Sequence, residues 1–293
     1  MLRMMGSVGI RVQKVTGLAE TVELHTLNNK GDIMFFQRLI TTLILVPLVL
    51  WLIFYGNQWL LAGIVLLVFL AACRECWQLI PLHHWSLQAG FIAIMLVGLW
   101  ACGAFFYYWL DVGLIIWGLN VLAILSFPGS QKYWGYPAVV AIVCFLLLPL
   151  FVQSLIHLYH LPNGKAQLVY LLFLIWVSDT GAYLSGKLMG KHKLIPQVSP
   201  GKSWEGVIGG IILSMLIAWI GYSYFKPVAA VHWFVLALCT IIIAIFGDLF
   251  ISILKRRCHL KDTGALIPGH GGILDRLDSL IAALPLFYFG LTW

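Results

Sequence analysis

Residues 239–257 read CTIIIAIFGDLFISILKRR. An apolar run closes on three cations, Lys255, Arg256 and Arg257, and carries one carboxylate, Asp248, within it. A hydrocarbon core about 30 Å thick takes about 20 apolar residues of helix to cross, and a terminal Lys/Arg cluster holds such a helix at the interface. This stretch decides the fold class because the rest of the chain repeats its pattern. Of the 293 residues 61% are hydrophobic and 10% charged, whereas soluble domains carry roughly a quarter charged residues. There is too little polar material here to coat a soluble core. We expect an all-α polytopic integral membrane protein with one membrane domain.

Nine spans are predicted, at 38–56, 58–79, 86–108, 110–127, 133–158, 166–188, 206–225, 230–253 and 276–292. The break between the third and fourth, at 108/110, is marked only by Asp111, and the last is short. The longest polar connections are 189–205 and 254–275. Residues 1–33 differ: they are mixed polar, with Arg3, Arg11, Lys14, Glu20, Glu23, Lys30 and Asp32, and lack the apolar core of a signal peptide. Met34 is followed at once by FFQRLITTLILVPLVLWLIFY. We read 1–33 as a polar extension, disordered or from an upstream start, and 34–293 as the membrane domain.

Lys and Arg bias sets orientation. With the N-terminus in the cytoplasm, that side receives Arg38, Arg74, Lys132, Lys187, Lys191, Lys193, Lys202, Lys255, Arg256, Arg257, Lys261, Arg276 and four cations of the extension. The far side receives Lys165 and Lys226, which accounts for all eighteen. Both long polar loops then face the cytoplasm. The six cysteines are scattered, and the Cys73-x-x-Cys76 pair has no further ligands at zinc spacing, so they are read as ordinary apolar residues.

Carboxylates inside the hydrocarbon are functional candidates by default. Glu75, Asp179 and Asp248 are such residues. Asp248, Ser252 and Lys255 fall at i, i+4 and i+7, on one helix face, with Asp248 roughly 10 Å deeper than Lys255 at 1.5 Å rise per residue. Asp275 and Asp278 open the last span. Capping and the helix dipole would explain one of them, but not the preceding Gly269-His270-Gly271-Gly272. Glycines admit a close backbone approach, and successive N–H groups at a helix start bind anions. With Lys255, Arg256, Arg257, Lys261 and Arg276 flanking it, the segment reads as a metal and phosphate site, suited to a hard cation such as Mg²⁺.

The other loop contains Pro200-Gly201-Lys202-Ser203, leading into Trp204-Glu205-Gly206. It is not a P-loop, because the glycine required five residues before Gly201 is replaced by Pro196 and no strand is expected before it. What remains is an anion-friendly helix start bearing Lys202 and Ser203. Around Asp179, the small residues Ser178, Thr180, Gly181, Ala182, Ser185 and Gly186 permit close helix packing, and the segment is read as lining the same cavity.

SILKRRCHLKDTGALIPGHGGILDRLD, residues 252–278, resembles the signature of the phosphatidate cytidylyltransferases. Its fixed positions fall on Ser252, Lys255, Arg256, Lys261, Asp262, His270, Gly271, Gly272, Asp275, Arg276 and Asp278. SDTGAYLSGKLMGKHKLIPQVSPGKSWEG (178–206) and GDLFIS (247–252) are similar to further blocks of the family. The resemblance covers about 34–293, densely from 178.

The resemblance implies an all-helical membrane enzyme that makes CDP-diacylglycerol and pyrophosphate from CTP and phosphatidic acid. It further implies a homodimer in a bacterial-type inner membrane, with no nucleic acid partner. Mg²⁺ with a second cation, K⁺, would lie between Asp248 and Asp275, and the family's serine and lysine fall on Ser252 and Lys255. In this reading Asp278 is a further ligand or holds one. Lys202, Ser203, Arg256, Lys261, Arg276 and the His270-Gly271-Gly272 turn bind phosphate, with Asp179, Glu205 and Asp262 as further candidates. The residues that read cytosine stay unassigned. The rival readings are another membrane transferase on a lipid phosphate and a cation-coupled transporter. The aspartate motif of the CDP-alcohol phosphotransferases is not found, and the polar residues crowd one half of the chain where transporters show paired halves.

Overall fold

The computed structural model describes residues 40–131, 135–266 and 271–293. The expected extension at 1–33 and His270 lie outside the described residues. The chain divides into two units. The first comprises 1–49 and 267–270, and its described part is the helical stretch 40–49; the second, 50–266 and 271–293, holds the remaining described elements.

The helices are α1 (Ile40–Tyr55), α2 (Gln58–Leu79), α3 (Trp85–Ala104), α4 (Phe106–Leu125), α5 (Pro137–His160), α6 (Gly164–Met189), α7 (Trp204–Phe225), α8 (Ala230–Arg257) and α9 (Leu274–Thr292). The run α2 to α8 comprises seven helices long and apolar enough to cross a membrane. α1 is apolar but shorter, and α9 opens on Asp275, Arg276 and Asp278. The architecture is that of an all-α polytopic membrane protein, as expected.

The boundaries have local causes. Asn57 starts α2 by accepting the Leu60 amide on its side chain at 2.7 Å, and Ser203 starts α7 by accepting the Gly206 amide at 3.1 Å; each satisfies an amide with no partner inside its helix. The break between α3 and α4 corrects the expectation. It falls at Phe105, whose backbone leaves the helical region (φ −123°, ψ 41°), and Asp111 is an exposed residue within α4. A lone aspartate is only a moderately poor helix former, and at an exposed position it has no reason to end one.

No strand is expected before Gly201, and the structure corrects this in the connection between α6 and α7. That connection forms a small antiparallel hairpin, β1 (Lys193–Ile195) with β2 (Ser199–Ser203), in the register Lys193↔Ser203 and Ile195↔Ser199. A loop lying over helix ends must satisfy its own backbone groups, and pairing does so. Val198 at the hairpin turn is buried, and its carbonyl accepts Arg256 Nε at 3.1 Å.

α6 packs most extensively on α7, and α8 on α9. Water does not drive helices together within lipid, so small residues set how close they come. Gly209 and Gly210 of α7 lie against Ser185 and Ser178 of α6; a side chain at Gly209 would overlap Ser185, and one at Gly210 would come within 2.8 Å of the Ser178 carbonyl oxygen. The small residues singled out around Asp179 therefore do pack closely. On the other pair, a side chain at Gly247 of α8 would overlap the Asp278 carbonyl oxygen of α9. Leu150, Leu171, Leu174, Leu254 and Leu284 are fully buried, while Trp100, Ile115, Leu122, Ile212 and Trp219 are exposed on the surface that lipid would cover. Cys76 and Cys144 are free, with sulfurs 3.7 Å apart in the interior.

Candidate active site

The end of α2, the end of α6, the start of α7, the end of α8 and the start of α9 meet at one end of the bundle, beside the hairpin. α8 supplies the axis. Its i, i+4, i+7 face is formed as the spacing requires: Ser252 Oγ donates to Asp248 Oδ1 at 3.2 Å, and Lys255 follows one turn on. Lys202, brought in by β2, places its Nζ 2.5 Å from Asp248 Oδ2. That ammonium is shielded from solvent and has no hydrogen-bond partner among the described residues, so Asp248 is its counter-ion and its sole close contact of this kind.

Two more carboxylates stand within electrostatic reach of this pair. Asp278 feels the charges of Asp248, Lys202 and Asp179, and Asp179 feels those of Asp248, Lys202 and Arg276. Three carboxylates from three helices thus lie within electrostatic range of one lysine, and Asp248 alone pairs with it among the described residues. Asp179 is brought into the site from α6, as the sequence reading held open.

Asp275 is held differently. Lys255 Nζ lies 2.6 Å from its Oδ1, while its Oδ2 accepts the amides of Thr263 at 2.8 Å and Gly272 at 3.0 Å. Asp275 is buried, 7% exposed as a residue. Two amides fill both lone pairs of Oδ2, and Lys255 takes one of Oδ1, so a single acceptor position is left. Gly271 sits in the left-handed region (φ 86°) between Asp275 and Asp262, where any other residue would be strained. The glycine turn wraps the carboxylate.

Glu75, buried at the end of α2, is the residue sequence reasoning left without a role. It accepts three hydrogen bonds: Thr263 Oγ1 and the Leu274 amide donate to Oε2, and the Ile273 amide to Oε1, each at 2.8 Å. Its signal was visible as a carboxylate inside a span. Thr263, which bonds both Glu75 and Asp275, carried no signal at all. A cavity of about 700 Å³ is lined by Glu75 with Arg74, Gln78, His83, Gln88 and Leu266; neither Asp248 nor Asp275 lines it.

Several predicted phosphate ligands point elsewhere. Ser203 is buried and spends its hydroxyl oxygen on the Gly206 amide. Arg256 donates to the carbonyls of Val198 and Leu260, so it ties the hairpin to α8. Glu205 accepts the His192 amide and, at 2.7 Å, His192 Nδ1, closing the loop onto the start of α7. Lys261, Asp262 and Arg276 are exposed at the surface of the site, and Gly272 donates its amide to Asp275. His270 lies outside the described residues.

The donors gathered here are oxygens, which suits a hard cation. Among the described residues no three acidic, histidine or cysteine side chains form a ready-made metal cage. Mg²⁺ needs no such cage, since it commonly takes one or two protein carboxylates and completes its shell with water and substrate phosphate. No ion pair or hydrogen bond joins Asp248 to Asp275 among the described residues; each has its own lysine.

A membrane bundle whose carboxylates and lysines converge at one end is chemically suited to handling phosphate groups at a bilayer surface. Comparison with known proteins makes the class specific. Residues 36–293 match the cytidylyltransferase family, and the chain belongs to it; it is a membrane nucleotidyltransferase. A phosphatidate cytidylyltransferase of Pseudomonas aeruginosa is 36% identical over 265 residues, 87% of this chain and 96% of that protein. One from Haemophilus influenzae is 42% identical over 186 residues, 59% of this chain and 64% of that protein. One from Staphylococcus haemolyticus is 47% identical over 127 residues, covering 42% of this chain and 48% of that protein.

Proposed function

We propose that the protein transfers the cytidylyl group of CTP to phosphatidic acid, giving CDP-diacylglycerol and pyrophosphate. A phosphate oxygen of phosphatidic acid forms a new bond to the α-phosphorus of CTP as the bond from that phosphorus to the bridging oxygen breaks, and that oxygen leaves on pyrophosphate. A phosphate monoester is already ionised near neutral pH, so no strong general base is required. The obstacle is repulsion between two anions, and preorganised positive charge is the remedy.

The observation that carries this reading is the pair of lysine–aspartate contacts, Lys202 with Asp248 and Lys255 with Asp275, at the end of the bundle where a glycine turn meets a helix start. Lys202, whose one ion pair among the described residues is with Asp248, would exchange that carboxylate for a phosphate oxygen. Lys255 orients Asp275, whose remaining Oδ1 position faces a further ligand. Asp248, with Asp179 and Asp278 nearby, and Asp275 are the residues that would hold Mg²⁺ and a second cation such as K⁺. When bound, such cations neutralise the attacking and leaving oxygens. Asp278 supports that set from α9, and Ser252 fixes the orientation of Asp248. Arg276 and Lys261 add positive charge at the surface where CTP would enter.

The Lys and Arg distribution supports a cytoplasmic N-terminus. Lys165, whose Nζ donates to the Phe54 carbonyl at 3.1 Å, and Lys226, at the end of α7, lie at span ends opposite the site. The site then opens to the cytoplasm of a bacterial inner membrane, where soluble CTP meets a lipid whose acyl chains stay in the bilayer. The test is direct. Protein purified in detergent, given Mg²⁺, labelled CTP and phosphatidic acid, should yield a lipid-soluble cytidine product and pyrophosphate. Absence of that product with the wild-type chain, or undiminished product with Asp275→Asn, would refute the assignment.

A further inference from the structure

We propose that Glu75 is a positioning residue for this reaction: from α2 it caps α9 and fixes the turn that holds Asp275. The proposal rests on the cytidylyl-transfer reading above.

A helix start leaves amides without intrahelical partners. The residue that precedes α9, Ile273, provides no side-chain cap of its own. The Ile273 and Leu274 amides are instead taken by the two carboxylate oxygens of Glu75, 198 and 199 positions earlier in the chain. The capping group for the catalytic turn is therefore supplied by another helix. A carboxylate at that place also opposes the positive end of the helix dipole. No cation pairs with Glu75 among the described ion pairs, so hydrogen-bond donors and the dipole compensate its charge in the interior.

The same side chain reaches Asp275 through Thr263. The Thr263 hydroxyl donates to Glu75 Oε2, and its amide donates to Asp275 Oδ2. Gly272 closes the circuit: its amide also donates to Asp275 Oδ2, and its Cα lies so close to Glu75 Oε2 and Thr263 Oγ1 that any side chain would overlap both. Gly264 packs as tightly, since a Cβ there would stand 2.6 Å from Glu75 Oε1. Among the described residues, both amides that fix Asp275 Oδ2 thus belong to residues packed against Glu75. Glu75 touches neither the lysines nor the Asp248 cluster, which makes it a positioning residue and not a catalytic one.

Glu75→Gln keeps the shape but turns one acceptor into a donor that faces a donor. It should lower kcat roughly 10- to 100-fold, the scale on which a displaced catalytic group loses rate, with KM for CTP and phosphatidic acid nearly unchanged. Amide exchange, followed by mass spectrometry in detergent, should accelerate at 263 and 272–275 and stay unchanged in α5 and α6. Thr263→Val should act in the same direction and more weakly, and the double variant should be no worse than Glu75→Gln alone, because both break one network. Wild-type kcat in a folded Glu75→Gln protein overturns the proposal, as does exchange that rises equally throughout the bundle. Should Glu75→Gln not fold, Thr263→Val decides: a lowered kcat with local exchange supports the role, and an unchanged kcat removes it. If the wild-type chain forms no cytidine lipid, the reaction reading fails, while exchange at 272–275 still reports whether Glu75 holds the turn.

Discussion

Lys255 Nζ stands 2.6 Å from Asp275 Oδ1, joining the last turns of α8 to the first turn of α9 across twenty positions of chain. Both side chains are largely shielded from solvent. The contact ties the helix that carries Asp248 to the glycine turn. Breaking it by removing one partner would leave an uncompensated charge, which costs about 3–5 kcal/mol. Lys255→Met should therefore lower the thermal midpoint markedly in detergent as well as abolish turnover; an unshifted midpoint would show that the pair contributes nothing to the fold.

Lys202 and Asp248 also form an ion pair, but their side chains remain about a quarter to a third exposed, so losing it should cost less stability than losing the more buried Lys255–Asp275 pair. Asp248→Asn and Lys202→Met should each cost at least about a hundredfold in kcat/KM, corresponding to about 2.7 kcal/mol of transition-state stabilisation. Their melting curves should stay close to wild type. Parallel assays of activity and thermal unfolding would separate this pair from the Lys255–Asp275 pair.

Arg257 offers the opposite pattern. Its guanidinium donates to the carbonyls of Gly135 and Leu79, so it fastens the ends of α2 and α8 to the start of α5. Hydrogen bonds to a charged group contribute about 1.5–3 kcal/mol each. Arg257→Ala should reduce stability by that order and leave kcat per folded molecule near wild type. A selective loss of kcat, with stability intact, would instead assign Arg257 to the substrate.

The α6–α7 contact sets the position of Asp179 and of the start of α7. Overpacking a tight interface costs about 1–3 kcal/mol or more. Gly209→Val, whose side chain would overlap Ser185, should lower the yield of folded protein and its thermal midpoint. Gly118→Val, at an α4 position where a side chain meets nothing within 4 Å, should do so far less. Equal behaviour of the two variants would show that close approach at Gly209 is not what holds this pair.

By itself the sequence determined the membrane class, the spans to within a few residues and which polar residues were candidates for the site. Those properties follow from hydropathy over about twenty residues and from polar residues too costly to place in lipid without a function. The face Asp248-Ser252-Lys255 was legible too, because helical spacing alone puts i, i+4 and i+7 together. Only the tertiary structure decided which lysine meets which carboxylate, and that Arg256 and Ser203 serve the hairpin and the α7 cap. It also decided the place of the α3–α4 break at Phe105 and the use of Glu75 and Thr263 to hold Asp275. Each depends on partners between 3 and almost 200 positions apart, and a side chain's role is set by the donors that folding brings to it. Glu75 makes the point most plainly: its burial was legible from the span it lies in, but its three donors come from the far end of the chain.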